Sequence, residues 1–128
     1  MSYYFSTKIQ GTFEKIYDRT LASLEKEGFG VLTEIDVKAT LKKKMDVDFR
    51  QYKILGACNP PFAYKALQAE DKIGTMLPCN VIIQELGKGE VEVAAIDPIA
   101  SMQAIENETL MLIAQQVRKK MFDVVENV

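Results

Sequence analysis

Residues 52–84 read YKILGACNPPFAYKALQAEDKIGTMLPCNVIIQ, and the fold turns on how this stretch is parsed. Its first part reads as a strand, with Tyr52, Ile54, Gly56 and Cys58 on one face. Asn59 then stands before Pro60 and Pro61. Proline is tolerated in the first turn of a helix, where its missing N–H costs little, so Asn59 is the expected N-cap. Phe62, Ala63, Ala66 and Leu67 supply the buried side of that helix. Beyond Pro78 the pattern returns to period two, with Cys79, Val81 and Ile83 alternating with Asn80, Ile82 and Gln84. The unit is strand–helix–strand. Its two ends carry the only cysteines of the chain, each followed by asparagine and each lying near a proline.

Working outward, residues 86–90 (LGKGE) form a glycine-containing loop of hairpin length. The return strand puts Val91 and Val93 on one face, Glu90 and Glu92 on the other, and ends at Asp97-Pro98. Asn107 is the expected cap of a long helix striped by Leu110, Ile113, Ala114, Val117, Met121 and Val124. Arg118, Lys119 and Lys120 are expected near its C-terminal end, where cations suit the helix dipole. Leu110, Met111 and Leu112 carry apolar groups more than halfway round this helix, which argues for burial on a second side and hence self-association.

On the N-terminal side, residues 3–9 are aromatic and β-branched and read as a strand. Phe13, Ile16, Tyr17, Thr20, Leu21 and Leu24 make one face of a helix between a Thr12 cap and Gly28. Residues 30–37 read as another strand, with Val31, Thr33 and Ile35 on one face. Asp36 is placed to cap a short helix carrying Val37, Leu41 and Met45, with Lys42, Lys43 and Lys44 on its wet side. The order is β-α-β-α-β-α-β-β-α. The expected fold class is α+β: a single domain over 1–128, built as a two-layer α/β sandwich with a mixed sheet of about five strands and helices largely on one face.

Composition removes several functions. Histidine is absent, which excludes Ser-His-Asp and Cys-His catalysis and the imidazole zinc sites. A net charge of −2 supplies no basic field, so no nucleic-acid partner is expected. No run approaches the ~18 apolar residues of a membrane span, so no membrane partner is expected either. Met1-Ser2-Tyr3-Tyr4-Phe5 lacks the charged and apolar regions of a signal peptide. Two reduced thiols in a cytoplasmic protein are therefore the expectation.

The segments Gly-x-Cys-Asn-Pro (56–60), LPCNV (77–81) and VEVAAIDPIASM (91–102), taken together, resemble the domain of unknown function 302 family nearly end to end. The resemblance implies a small α/β domain that forms homodimers. It implies no established activity and supplies no catalytic residues.

If the third and fourth strands lie close, both Cys-Asn pairs border one crevice. The candidate ligand site is Cys58, Asn59, Pro60, Pro78, Cys79 and Asn80, with Asp97 at a neighbouring strand end; the asparagine amides are expected to orient the ligand. Packing and capping compete with this reading, because a free cysteine behaves as a small hydrophobe. The spacing is not Cys-x-x-Cys, so a thioredoxin-like site fails. Two thiolates are too few for most metals, although a soft, Cu(I)-type ion takes few ligands. A nucleophilic Cys58 or Cys79 lacks a histidine base. Glu34, Asp36 and Asp97 could pair as acid and base, yet each has an ordinary capping or surface role. The leading expectation is a homodimeric small-ligand-binding, sensing or accessory module with no assigned cofactor. The alternatives are a thiol-dependent enzyme, a soft-metal protein, or a purely structural interaction dimer.

Overall fold

The structure, a computed structural model, describes residues 2–128; Met1, where the N-terminal reading begins, lies outside them. The strands are β1 (Tyr4–Gln10), β2 (Gly30–Asp36), β3 (Tyr52–Cys58), β4 (Cys79–Gly87) and β5 (Glu90–Ile96). The helices are α1 (Phe13–Lys26), α2 (Val37–Met45), α3 (Pro60–Ala69), α4 (Pro98–Ser101) and α5 (Glu108–Glu126), with a 3-10 helix over Asp71–Met76. One five-stranded sheet has the order β1-β5-β4-β3-β2. The α+β class and the two layers are as expected.

The sheet is antiparallel at every pairing, not mixed. The reason lies in the connections. α2 leaves β2 and returns to β3 at the same end of the sheet, and α3 with the 3-10 helix does the same between β3 and β4. Only α1 crosses the sheet, and it links the two edge strands, β1 and β2, which never pair. The strand alternation also breaks in β2. A bulge between Val31 and Thr33 sets Val31 opposite Ala57 and Thr33 opposite Gly56, leaving Leu32 as the extra residue. Val31 and Thr33 therefore do not share a face as simple alternation predicts.

α1 and α5 cover one face. Ile16 and Leu24 of α1 and Met121 and Val124 of α5 are fully buried against Leu55, Val81, Ile83 and Val93. Each such side chain contributes about 1.5–3 kcal/mol of transfer free energy, which makes this stripe the main driving force of the fold. Thr12 caps α1 by accepting from Lys15 N, and Asn107 caps α5 by accepting from Leu110 N. A second, smaller cluster joins Ala66, Ile73, Met102, Leu110, Ile113 and Ala114, beyond the ends of β3, β4 and β5. α2 buries none of its side chains.

α5 differs from its reading in two respects. It continues to Glu126, so Arg118, Lys119 and Lys120 lie mid-helix and pair with Asp97, Asp123 and Glu27 instead of its last turn. Met111 packs on the second cluster and only Leu112 of that triplet is exposed, so α5 presents no broad second apolar face. The uncovered apolar surface is instead the far face of the sheet. Register aligns Ser6, Ala94, Ile82, Ile54 and Ile35 in one row across all five strands. No helix among the described residues is long and apolar enough to cross a membrane.

Candidate functional site

β3 and β4 pair so that Ala57 faces Cys79, which brings both Cys-Asn segments to one end of the sheet. α3 starts there, directly after Asn59, and α5 begins beneath it. Between these elements lies a cavity of about 290 Å³, at the seam where the main core meets the smaller cluster. Phe29, Ala57 and Cys79 belong to the main core; Ala66, Ile113 and Met102 belong to the other. Small side chains create the space. Ala63 and Ala66 on α3 face Ala114 and Val117 on α5, and none fills the gap. The rim carries Leu32, two-thirds exposed on the β2 bulge, with Phe62 and Leu67 of α3.

Cys58, Asn59, Pro78 and Cys79 line this cavity; Pro60, Asn80 and Asp97 do not. Asn80 follows Cys79 in an extended strand and so faces the other side of the sheet. There it borders a second depression, of about 370 Å³, with Tyr52, Ile82 and Gln84. Asp97 is buried at the end of β5, where it caps α4 by accepting from Ile99 N at 3.0 Å and pairs with Arg118 Nε at 3.1 Å. Its role is to tie the β5–α4 corner to α5. Pro60 occupies the first position of α3, as the helix-start pattern requires.

Asn59 begins α3 without a side-chain cap bond. With Pro61 at the second helical position, one of the two usual N–H targets is missing. Its Nδ2 donates instead to Glu27 O at 3.1 Å, joining the end of α1 to the start of α3. The expectation that the Asn59 amide and Asn80 jointly orient a ligand is therefore corrected. One N–H of the Asn59 amide is committed to Glu27 O, and Asn80 lies on the opposite face.

Cys79 is buried, and desolvation, with a smaller contribution from the neighbouring Cys58, pushes its thiol up to about 11. At neutral pH it is a neutral wall atom, not a thiolate. Cys58 is half-buried at the same wall. Among the described residues no group of three or more His, Cys, Asp or Glu could hold a metal ion.

A separate polar cluster sits on the helix-covered face at the β2 edge. Tyr17 Oη donates to Glu34 Oε1, and Lys53 Nζ lies 3.2 Å from Glu34 Oε2 and 4.4 Å from the Tyr17 ring centroid. Hydrogen bonding to Glu34 raises Tyr17 to about 12, and the same bond, with Lys53, lowers Glu34. Glu34 is thus held by neighbours outside the cavity, and Asp36 caps α2 by accepting from Ala39 N. The carboxylates Glu34, Asp36 and Asp97 have three different tasks.

Sequence reasoning missed the far wall. Ile113, Ala114 and Val117 read as ordinary core positions, and Met102 as a methionine that fills a gap or lines an adaptable pocket; nothing local marks the three helix positions as facing empty space.

No curated protein matches the chain. A crystal structure of an uncharacterized conserved DUF302 protein from Bacillus stearothermophilus superposes with a TM-score of 0.91 at 24% identity, covering 99% of this chain and 98% of that one. That likeness shows the shared fold. The family model described as "Domain of unknown function DUF302" matches residues 5–128, nearly the whole sequence, and so the chain belongs to the DUF302 family.

Proposed function

We propose that this DUF302 domain is a homodimeric small-ligand-binding module, of the sensing or accessory kind, whose ligand seats in the cavity between α3, α5 and the ends of β3 and β4. The observation that carries the reading is the unfilled space itself. A cleft of about 290 Å³, half-open to solvent, is lined almost wholly by hydrocarbon, surface whose burial is favourable. Larger side chains at Ala63 or Ala66 would narrow the space. A ligand accounts for keeping it. The neutral state of Cys79 weighs for a wall role over a nucleophile.

The dimer reading draws support from the uncovered sheet face. Its apolar row is flanked by Tyr3 and Tyr4, both exposed, and by Tyr52. Lys8 and Arg50 balance Glu90 and Glu92 around it, so a second copy would meet no net charge.

Native mass spectrometry of gently purified protein tests both halves. A dimer mass carrying a reproducible adduct, lost in Ala63→Phe, is the expected result. A dimer that neither carries an adduct nor is stabilised by any member of a small-molecule panel would refute the ligand, and a monomer at micromolar concentration would refute the dimer.

A further inference from the structure

The walls of the cavity narrow what can occupy it. No charged side chain lines it; the Asp97–Arg118 ion pair is formed by the sequence neighbours of the lining residues Pro98 and Val117 and is not itself part of the wall. Of the lining side chains, only Asn59 and the two cysteines carry anything but hydrocarbon or a thioether. One N–H of the Asn59 amide is taken by Glu27 O. What it leaves is one neutral N–H and a carbonyl oxygen, with no charge to offset that of an anion. The rim formed by Leu32, Phe62 and Leu67 is apolar as well. A carboxylate or phosphate would therefore lose its hydration and find, among the lining side chains, no cation and only one free amide N–H beside two weak thiol donors. A hydrocarbon would lose nothing it needs.

From this, and resting on the cavity being the ligand site, we infer that the ligand is a neutral, hydrocarbon-dominated molecule with at most one small hydrogen-bonding head, such as a hydroxyl. Size follows from volume. An apolar cavity of about 150 Å³ takes one benzene ring; this one, at about 290 Å³, has room for roughly twice those carbons, a fused pair of rings or a chain of about ten to twelve. The head group sits at the Asn59 end and the hydrocarbon runs between α3 and α5 toward Met102. The chemistry excludes nucleotides, sugars and amino acids as occupants.

The test compares 1-decanol with decanoate at pH 8 by isothermal titration, on the full chain and on two filled variants, Ala63→Phe and Ala66→Leu, each first shown to melt cooperatively. One molecule of 1-decanol per chain, at least tenfold tighter than decanoate, with at least a tenfold loss in a folded filled variant, is the expected result. Decanoate binding as tightly as the alcohol and lost on filling would overturn the neutral class and keep the cavity as the site. Alcohol binding that filling does not change would place it elsewhere and overturn the inference. No alcohol binding would overturn the inference too; the fate of the cavity reading would then rest on whether an adduct from the cell disappears in the filled variants.

Discussion

The Asn59 side-chain amide donates to the backbone carbonyl of Glu27, 3.1 Å away, beside Gly28 at φ +85°. A Cβ at position 28 would stand 3.2 Å from Asn59 Nδ2. The pair fixes the end of α1 against the start of α3, at the base of the cavity.

Asn59→Ala should cost about 1 kcal/mol, the net worth of one hydrogen bond to a carbonyl that water can partly reach. Gly28→Ala should cost about 1–2 kcal/mol, because the left-handed backbone penalises any Cβ. Urea denaturation of the two variants measures both. A loss at Gly28 with none at Asn59 would show that the bond is incidental to the turn.

Gly56 has the tightest surroundings of any glycine in the chain. A Cβ there would lie 2.7 Å from Pro78 Cγ and closer still to Thr33 Oγ1. Gly56→Ala should destabilise by about 1–3 kcal/mol, the range for overpacking. Thr33→Ala should recover part of the loss, and a double-mutant cycle between positions 33 and 56 reads the coupling. Additive effects would mean that Pro78 alone sets the limit.

The Tyr17–Glu34–Lys53 cluster fixes a pH window. Glu34 titrates below its ordinary 4.5, so its contribution is present above that value and fades as pH falls through the lowered one. Tyr17 is raised from 10.0 to about 12, so its contribution is complete below pH 10 and is lost as pH climbs through about 12. Both groups are largely solvated, which limits the effect to no more than about 1 kcal/mol. The stability difference between wild type and Glu34→Gln should be flat from about pH 5 to 9 and shrink in acid. A difference that grows in acid would contradict the assignment.

Iodoacetamide at pH 8 should alkylate the native protein at Cys58 and spare Cys79 until the chain unfolds. Burial and a thiol near 11 both protect Cys79. Peptide mapping after a timed quench distinguishes the two positions. Rapid native alkylation of Cys79 at neutral pH would restore the thiol-enzyme alternative.

Long amphipathic elements were legible in the sequence because burial writes a period into them. The α1 face through Ile16 and Leu24, the β4–β5 hairpin and the Asn107 cap all stand where their patterns put them. The short elements were not. α4 has four residues and the 3-10 helix six, too few for periodicity to register. Period two says which face a residue takes and is silent about which strand lies beside it, so the pairing sense of the sheet was open. For the site, Cys58 and Pro78 were marked by polar and proline residues at strand ends. The separation of Cys79 from Asn80 was available too, since neighbours on a strand cannot share a face. The wall given by α5 was not, because a void leaves no trace in composition.

The seam on which the cavity lies divides the molecule mechanically. α3, the 3-10 helix and α4 pack chiefly on one another and on α5, whereas α1 and the sheet close the main core. Val117 is packed against both clusters, and α5 is the shaft that carries them. The smaller cluster has fewer buried side chains than the main core, so its amides should exchange with solvent ahead of those in β4. A molecule wedged into the seam would act as a weld. It would merge two opening units into one, and protection in α3 would rise toward that of the sheet.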